Sequence, residues 1–137
     1  MPPINGIIET AIHVKDLAAS IAFYRDRIGL PVIAGSDRFC ALSVASRGVL
    51  LLFLEGATGE PVDLPGGRIP PHSGSGALHF AFAVDAASIG DWEQHLTSAG
   101  IAIESRVQWE LGGSSLYFRD LDGHLVELAT PGVWSIY

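Results

Sequence analysis

The sequence predicts an α+β fold made of two consecutive βαβββ modules. Three observations carry that reading: an internal repeat, the same strand–helix–strand patterning in each half, and a Gly/Pro-rich stretch between the halves. AASI occurs at 18–21 and again at 86–89, and extending both copies sets AASIAFY against AASIGDW, with Tyr24 matching Trp92 at a spacing of 68. Upstream, ETAIHV sets against HFAFAV at a spacing of 70; downstream, ALSVASRGVLLLFL sets against LYFRDLDGHLVELA at 75. Colinear blocks whose spacing drifts by only a few residues are the signature of a duplicated unit.

Each element has its own local reason. IIETAIHV alternates and is rich in β-branched residues, as a half-buried strand is. Asp16 is placed to cap a helix over about 17–28, where Leu17, Ile21, Tyr24 and Ile28 form one face and Gly29 ends it. Strands follow near 31–35, 38–45 and 48–54. In the second half ALHFAFAV is the first strand. Asp85 or Ser88 caps a helix over about 87–98, with Ile89, Trp92 and Leu96 as the buried stripe and Gly100 as the stop. Strands near 101–108, 114–119 and 124–129 complete the unit, the last two joined by the turn RDLDGH. The stretch between the halves, EGATGEPVDLPGGRIPPHSGSGA, holds six glycines and four prolines and reads as a surface linker with no element of its own. The organisation is therefore one domain of 137 residues: module 1 over about 4–55, a linker over about 56–76, module 2 over about 77–131 and a tail at 132–137.

Composition narrows the function. At 48% hydrophobic the chain has enough apolar material for a real core, yet its longest apolar run, VLLLFL at 49–54, is far short of a membrane span. MPPING has neither a basic start nor an apolar signal core, and the lone Cys40 excludes an internal disulfide and a cysteine zinc cluster, so the expectation is a cytoplasmic protein. A net charge of −7 repels phosphate backbones and anionic membranes, so neither nucleic acid nor membrane is an expected partner.

The repeat also selects candidate site residues. Glu9 and His13 share one face of the first strand, about 13 Å apart at roughly 3.3 Å per residue. An ion held about 2 Å from each ligand cannot take both. Glu9 is the one that aligns with His79, and a pseudo-twofold axis brings equivalent positions together; the same alignment sets Leu52 opposite Glu127. Three ligand-type side chains, Glu9, His79 and Glu127, thus fill three of four related positions. Two carboxylates in one cleft repel unless a cation or a proton lies between them. A basic ligand gripped by the carboxylates is the remaining alternative.

IHVKDLAASIAFYRDRIGL, ALHFAFAVD and above all SLYFRDLDGHLVELATPG resemble the vicinal oxygen chelate superfamily, which includes glyoxalase I, fosfomycin-resistance proteins, extradiol dioxygenases and bleomycin-resistance proteins. The resemblance covers nearly the whole chain and implies two βαβββ modules curling as a mixed sheet around a cleft, with a divalent ion held by first and last strands. Carried over, the ligand positions are Glu9, Leu52, His79 and Glu127. Leu52 departs from the four-ligand pattern of glyoxalase I. Glu9 departs from the two-histidine, one-glutamate pattern of the dioxygenases and fosfomycin-resistance proteins.

The resemblance further implies a metal ion, Mn²⁺, Fe²⁺, Ni²⁺ or Zn²⁺, bound by one imidazole and two carboxylates with open positions. The substrate is a small molecule chelating through neighbouring oxygens. Glu127 or Glu9 is the candidate general base, and His13, Tyr117 and Trp109 are candidate substrate contacts. The leading reading is a glyoxalase-like lyase or isomerase, or a dioxygenase-type enzyme. A metal-free protein of the bleomycin-resistance type, sequestering a small molecule in the same cleft, is the alternative. Members of the superfamily often pair, so a homodimer is the expected assembly.

Overall fold

The computed structural model describes residues 1–137, which divide into two compact units, Met1–Ser75 and Gly76–Tyr137. In the first unit β1 (Glu9–Val14) leads into α1 (Leu17–Ala22), which is extended by a π-helical turn at Phe23–Arg27. Asp16 caps this helix, its carboxylate accepting from the Ala19 N–H at 2.9 Å. Strands β2 (Val32–Gly35), β3 (Phe39–Val44) and β4 (Gly48–Leu54) complete a four-stranded sheet of order β1-β4-β3-β2. The β1–β4 pairing is parallel and the others antiparallel.

The second unit repeats the plan. β7 (His79–Ala83) is followed by a 3₁₀ turn at Ala86–Ser88 and by α2 (Ile89–Ser98), then β8 (Ile103–Gln108), β9 (Ser114–Arg119) and β10 (Leu125–Ala129). Its sheet order is β7-β10-β9-β8, again with one parallel pair between first and last strands. The fold is thus α+β with two mixed four-stranded sheets. Neither Asp85 nor Ser88 makes a side-chain cap to α2; the Ser88 hydroxyl instead donates to the Asp85 carbonyl. Of the expected stripe on α2 only Leu96 is fully buried, while Ile89 and Trp92 are half-buried.

Alternation along the strands sorts each sheet into two faces. In the first unit Ile12, Val14, Cys40, Leu42, Leu50 and Leu52 are buried in the core with Leu17, Phe23 and Tyr24 of the helical segment. Cys40 belongs to this core, and burial pushes its thiol above the usual range, so it is a packing residue. Glu9, Ala11, Leu51 and Phe53 face the other way and line a cavity. In the second unit Leu116, Phe118, Val126 and Leu128 are core, and Ser115, Tyr117 and Glu127 alternate with them.

Two expectations are corrected here. The linker contains an element: β5 (Val62–Leu64) and β6 (Gly67–Ile69) form a hairpin across Pro65 and Gly66, clasped by an Arg68–Asp63 ion pair. The counterpart of Glu127 is Leu51, not Leu52. Glu9 pairs with Val49 and His79 with Leu125, so equivalent positions on β4 and β10 differ by 76, and Glu127 falls on Leu51. The one-residue error comes from the alignment at a spacing of 75, which sets Gly48 against Gly123 as if both were turn residues. Gly123 is in its turn with φ +84°, but Gly48 already pairs with Val44 as a strand residue, and the first-unit turn takes its positive-φ positions at Ala45 and Ser46. A slip of one residue exchanges the faces of a strand. The substance survives, since Leu51 is no more able to ligate than Leu52.

Candidate metal centre

On the β7–β10–β9 face of the second unit, His79 and Glu127 come together. Glu127 is in a strand whose neighbours are apolar, and its side chain is only 8% exposed, so it needs partners to remain charged. Its Oε1 accepts a 2.5 Å hydrogen bond from the Ser115 hydroxyl, and that same hydroxyl accepts from Trp109 Nε1 at 2.8 Å. With Oε1 held, Oε2 is turned toward His79 Nε2 at 3.4 Å.

The tautomer of His79 follows from its other nitrogen. Nδ1 is 3.1 Å from the Leu125 carbonyl, a group that only accepts, so Nδ1 carries the hydrogen. In the neutral tautomer Nε2 would present a lone pair to a carboxylate oxygen, and two acceptors would face each other. Only a proton or a cation reconciles them. An imidazole oriented through Nδ1–H to a carbonyl, with Nε2 offered beside a carboxylate anchored by its second oxygen, is the arrangement that protein metal ligands adopt. These two donors suit a divalent cation.

The motif that made the sequence legible holds His79 in place. Asp120 Oδ1 accepts from the backbone N–H groups of Asp122 and His124, folding the turn. Buried His124 then accepts at Nδ1 from the Leu78 N–H at 3.0 Å, and the Leu78 carbonyl accepts from the Leu125 N–H at 2.8 Å. DLDGH thus fastens the residue preceding His79 to the start of β10. His124 reads from the sequence as a turn residue alone; the structure adds this anchoring bond.

Tyr117 pairs with Glu127 across β9 and β10, its ring centroid 6.3 Å from that of His79. Burial pushes its phenol above the usual range and the neighbouring Glu127 carboxylate adds to this, so Tyr117 is a hydrogen-bond donor at neutral pH. Ser115, the link between Trp109 and Glu127, was missed by sequence reading. The signal available was parity: Ser115 and Tyr117 share the face of Glu127 on paired strands.

Glu9 and His13 belong to the first unit. Glu9, exposed at the first position of β1, lines its cavity. His13 is buried beneath residues 58–74: Nε2 lies 3.3 Å from Thr58 Oγ1, and its ring packs against Phe53 and His72 at 5.8 and 5.6 Å. Gly74 has no side chain because a Cβ there would lie 2.5 Å from His13 Nδ1. Neither unit by itself converges three His, Cys, Asp or Glu side chains.

The model of the Glyoxalase/Bleomycin resistance protein/Dioxygenase superfamily matches residues 6–128. The chain belongs to that superfamily. Among its relatives, the metallothiol transferase FosB of Staphylococcus haemolyticus is 30% identical over 128 residues, covering 93% of this chain and 84% of the relative. The glutathione transferase FosA of Serratia marcescens is 30% identical over 125 residues, covering 91% and 80%. Among solved superfamily structures, the lactoylglutathione lyase from Agrobacterium tumefaciens superposes with a TM-score of 0.88 at 32% identity over 98% of this chain and 99% of that one. The fosfomycin resistance protein FosX from Listeria monocytogenes, at 19% identity and a TM-score of 0.70, shares the fold. No helix of this superfamily member is long and apolar enough to cross a membrane.

Proposed function

We propose that the chain is a metal-dependent enzyme acting on a small molecule that bears two neighbouring oxygens, with His79, Glu127 and Glu9 as the ligands of a divalent cation. The observation that carries this reading is the His79–Glu127 pair, whose Nε2 and Oε2 atoms lie 3.4 Å apart. When bound, the cation supplies a Lewis acid that stabilises negative charge developing on a substrate oxygen.

The chain's own residues divide the remaining work. Ser115 fixes the Glu127 carboxylate, so Glu127 is suited to holding rather than to moving. Glu9, exposed at the start of its strand, is the carboxylate with the freedom to take a proton from substrate and return it. Tyr117, a phenol whose burial raises it further above the usual range, is a donor for a substrate oxygen on the same face.

The reaction class is a lyase, isomerase or transferase step. The names of three relatives, metallothiol transferase, glutathione transferase and lactoylglutathione lyase, support a thiol as co-substrate or as part of the substrate. An oxygenase is the less favoured outcome, because Glu9 stands where a histidine is expected. Exposed Ile4, Ile7, Ile8, Trp134 and Ile136 support pairing of two copies, with Glu9 supplied by either one.

The test is turnover of methylglyoxal with glutathione, or of an electrophile with glutathione, by protein stripped of metal and reloaded in turn with Mn²⁺, Fe²⁺, Ni²⁺ and Zn²⁺. Activity that needs a metal and falls by 10²-fold or more in Glu127→Ala supports the proposal. Metal-independent ligand binding without turnover would favour the sequestering protein.

A further inference from the structure

The first unit carries a half-open cavity of about 710 Å³, a size in the range of small-molecule sites. Its floor is the β1–β4 face, where Ala11 pairs with Leu51, and Leu51 and Phe53 line the cavity with Phe39 of the neighbouring strand. Its second wall is the hairpin that the linker was not expected to form: Val62, Leu64, Ile69 and Pro70 all line the same space. Leu64 and Ile69 remain about half exposed, so the hairpin leaves its apolar side chains without a full core to enter.

This hairpin pairs with no other strand. An isolated two-stranded hairpin is marginal in water, and its attachment is at the base of the loop. Thr58 and His72 tie that base together, the Thr58 hydroxyl donating to the His72 carbonyl at 2.6 Å and the His72 N–H to the Thr58 carbonyl at 3.0 Å. Buried His13 contacts Thr58 from below. The result is an apolar flap on a fastened stem.

Among its apolar residues the lining carries two carboxylates, Glu9 and Glu60, and the polar side chains of Ser36, Arg38, Thr58 and His72. Glu9 lies at the start of the floor, about 7 Å from Ala11 and about 16 Å from the end of β1 at Val14, at strand rise. Arg38 is the single cation of the lining, and it already donates to the Ala57 carbonyl. A compact anion such as a phosphonate needs several convergent donors or cations; here one arginine shares the wall with the carboxylates of Glu9 and Glu60, and the Thr58 hydroxyl is already spent on the His72 carbonyl. A hydrocarbon body does match it.

We infer that the substrate carries an aryl or medium-chain alkyl body, which lies between the Leu51–Phe53 floor and the 62–69 hairpin while its oxygens are directed toward Glu9. This inference rests on the metal-enzyme reading for the oxygen end alone. The apolar end rests on the cavity.

Two measurements on the full chain separate them. In protein stripped of metal, the uncharged probe N-phenyl-1-naphthylamine is expected to bind saturably, one per chain, with fluorescence enhancement. Leu64→Asp and Ile69→Asp, both at half-exposed hairpin positions outside the buried core, are expected to weaken it by tenfold or more, and Leu111→Asp, at an exposed apolar residue of the second unit, by less than twofold. In the Mn²⁺-loaded protein, a series of hydroxamates offering the same two oxygens is expected to bind at least tenfold more tightly on going from acetyl to octanoyl or naphthoyl. Leu64→Asp is expected to flatten that trend while leaving Mn²⁺ affinity unchanged. Probe binding without Mn²⁺ binding would sink the metal reading and leave the apolar site standing. Mn²⁺ binding with a flat hydroxamate series, no saturable probe binding, or hairpin variants that bind probe as the wild type does would each overturn the inference.

Discussion

Replacing Ser115 with alanine removes one hydroxyl that serves two partners. The residue is 1% exposed; its oxygen accepts from Trp109 Nε1 and donates to Glu127 Oε1. A hydrogen bond to a charged group contributes about 1.5–3 kcal/mol, and a buried acceptor left without its donor costs a similar amount. Trp109 is 38% exposed, so its N–H recovers water and contributes little to the loss. The expected destabilisation of Ser115→Ala is therefore about 2–3 kcal/mol at pH 7 without metal, a fall in Tm of roughly 6–12 °C for a chain of this size. Urea titration of Ser115→Ala, Glu127→Met and the double variant isolates the pair. Removing both partners leaves no stranded carboxylate, so the double variant should be more stable than the sum of the single losses implies, by about 1.5 kcal/mol or more. A loss under 0.5 kcal/mol for Ser115→Ala, or additivity within that margin, would refute the claim that Ser115 holds Glu127.

The register correction is tested by neighbouring leucines. Leu52→Ala opens a cavity in the core and should cost about 2–5 kcal/mol; Leu51→Ala, half-buried on the cavity wall, should cost less than half as much, and denaturant melts that ranked them the other way would restore the sequence-based alignment. Tyr117 has a folded-state pKa raised above its ordinary 10.0, chiefly by burial. A raised value favours the protonated folded form, so its stabilising effect is full below about pH 10 and is lost as pH rises through the folded pKa. Stability profiles of wild type and Tyr117→Phe should converge in shape below that range and part above it, the variant losing less; parallel profiles to pH 11 would contradict the stated shift.

Much of this architecture is legible in the residues. Helix 1 shows itself through Asp16 and Gly29, whose cap and positive φ are local properties of short polar and glycine residues. The duplicated plan is visible because AASI and the strand patterns recur. The failures are equally physical. Gly48 and Gly123 look alike in sequence, but only Gly123 is in its turn, and nothing local reveals that Ala45 and Ser46 take the left-handed positions instead. LPGG in the linker was a readable turn signal, yet three-residue flanking strands are too short for alternation to show. His79 and Glu127 emerged from the repeat because strand pairing follows from it. Ser115 did not, because a serine on a strand announces nothing until its neighbour's charge needs a donor.

The central claim is that His79 and Glu127 bind a divalent cation together. Titration of stripped protein with Mn²⁺, followed by loss of the free-ion electron paramagnetic resonance signal, measures it directly. One ion bound per site in the wild type, with affinity lowered 10²-fold or more in both His79→Ala and Glu127→Ala and lowered also in Glu9→Gln, is the expected result. Absence of stoichiometric binding with Mn²⁺ and with Zn²⁺, Ni²⁺ and Fe²⁺ in turn, or binding that the His79 and Glu127 variants leave unchanged, would contradict it.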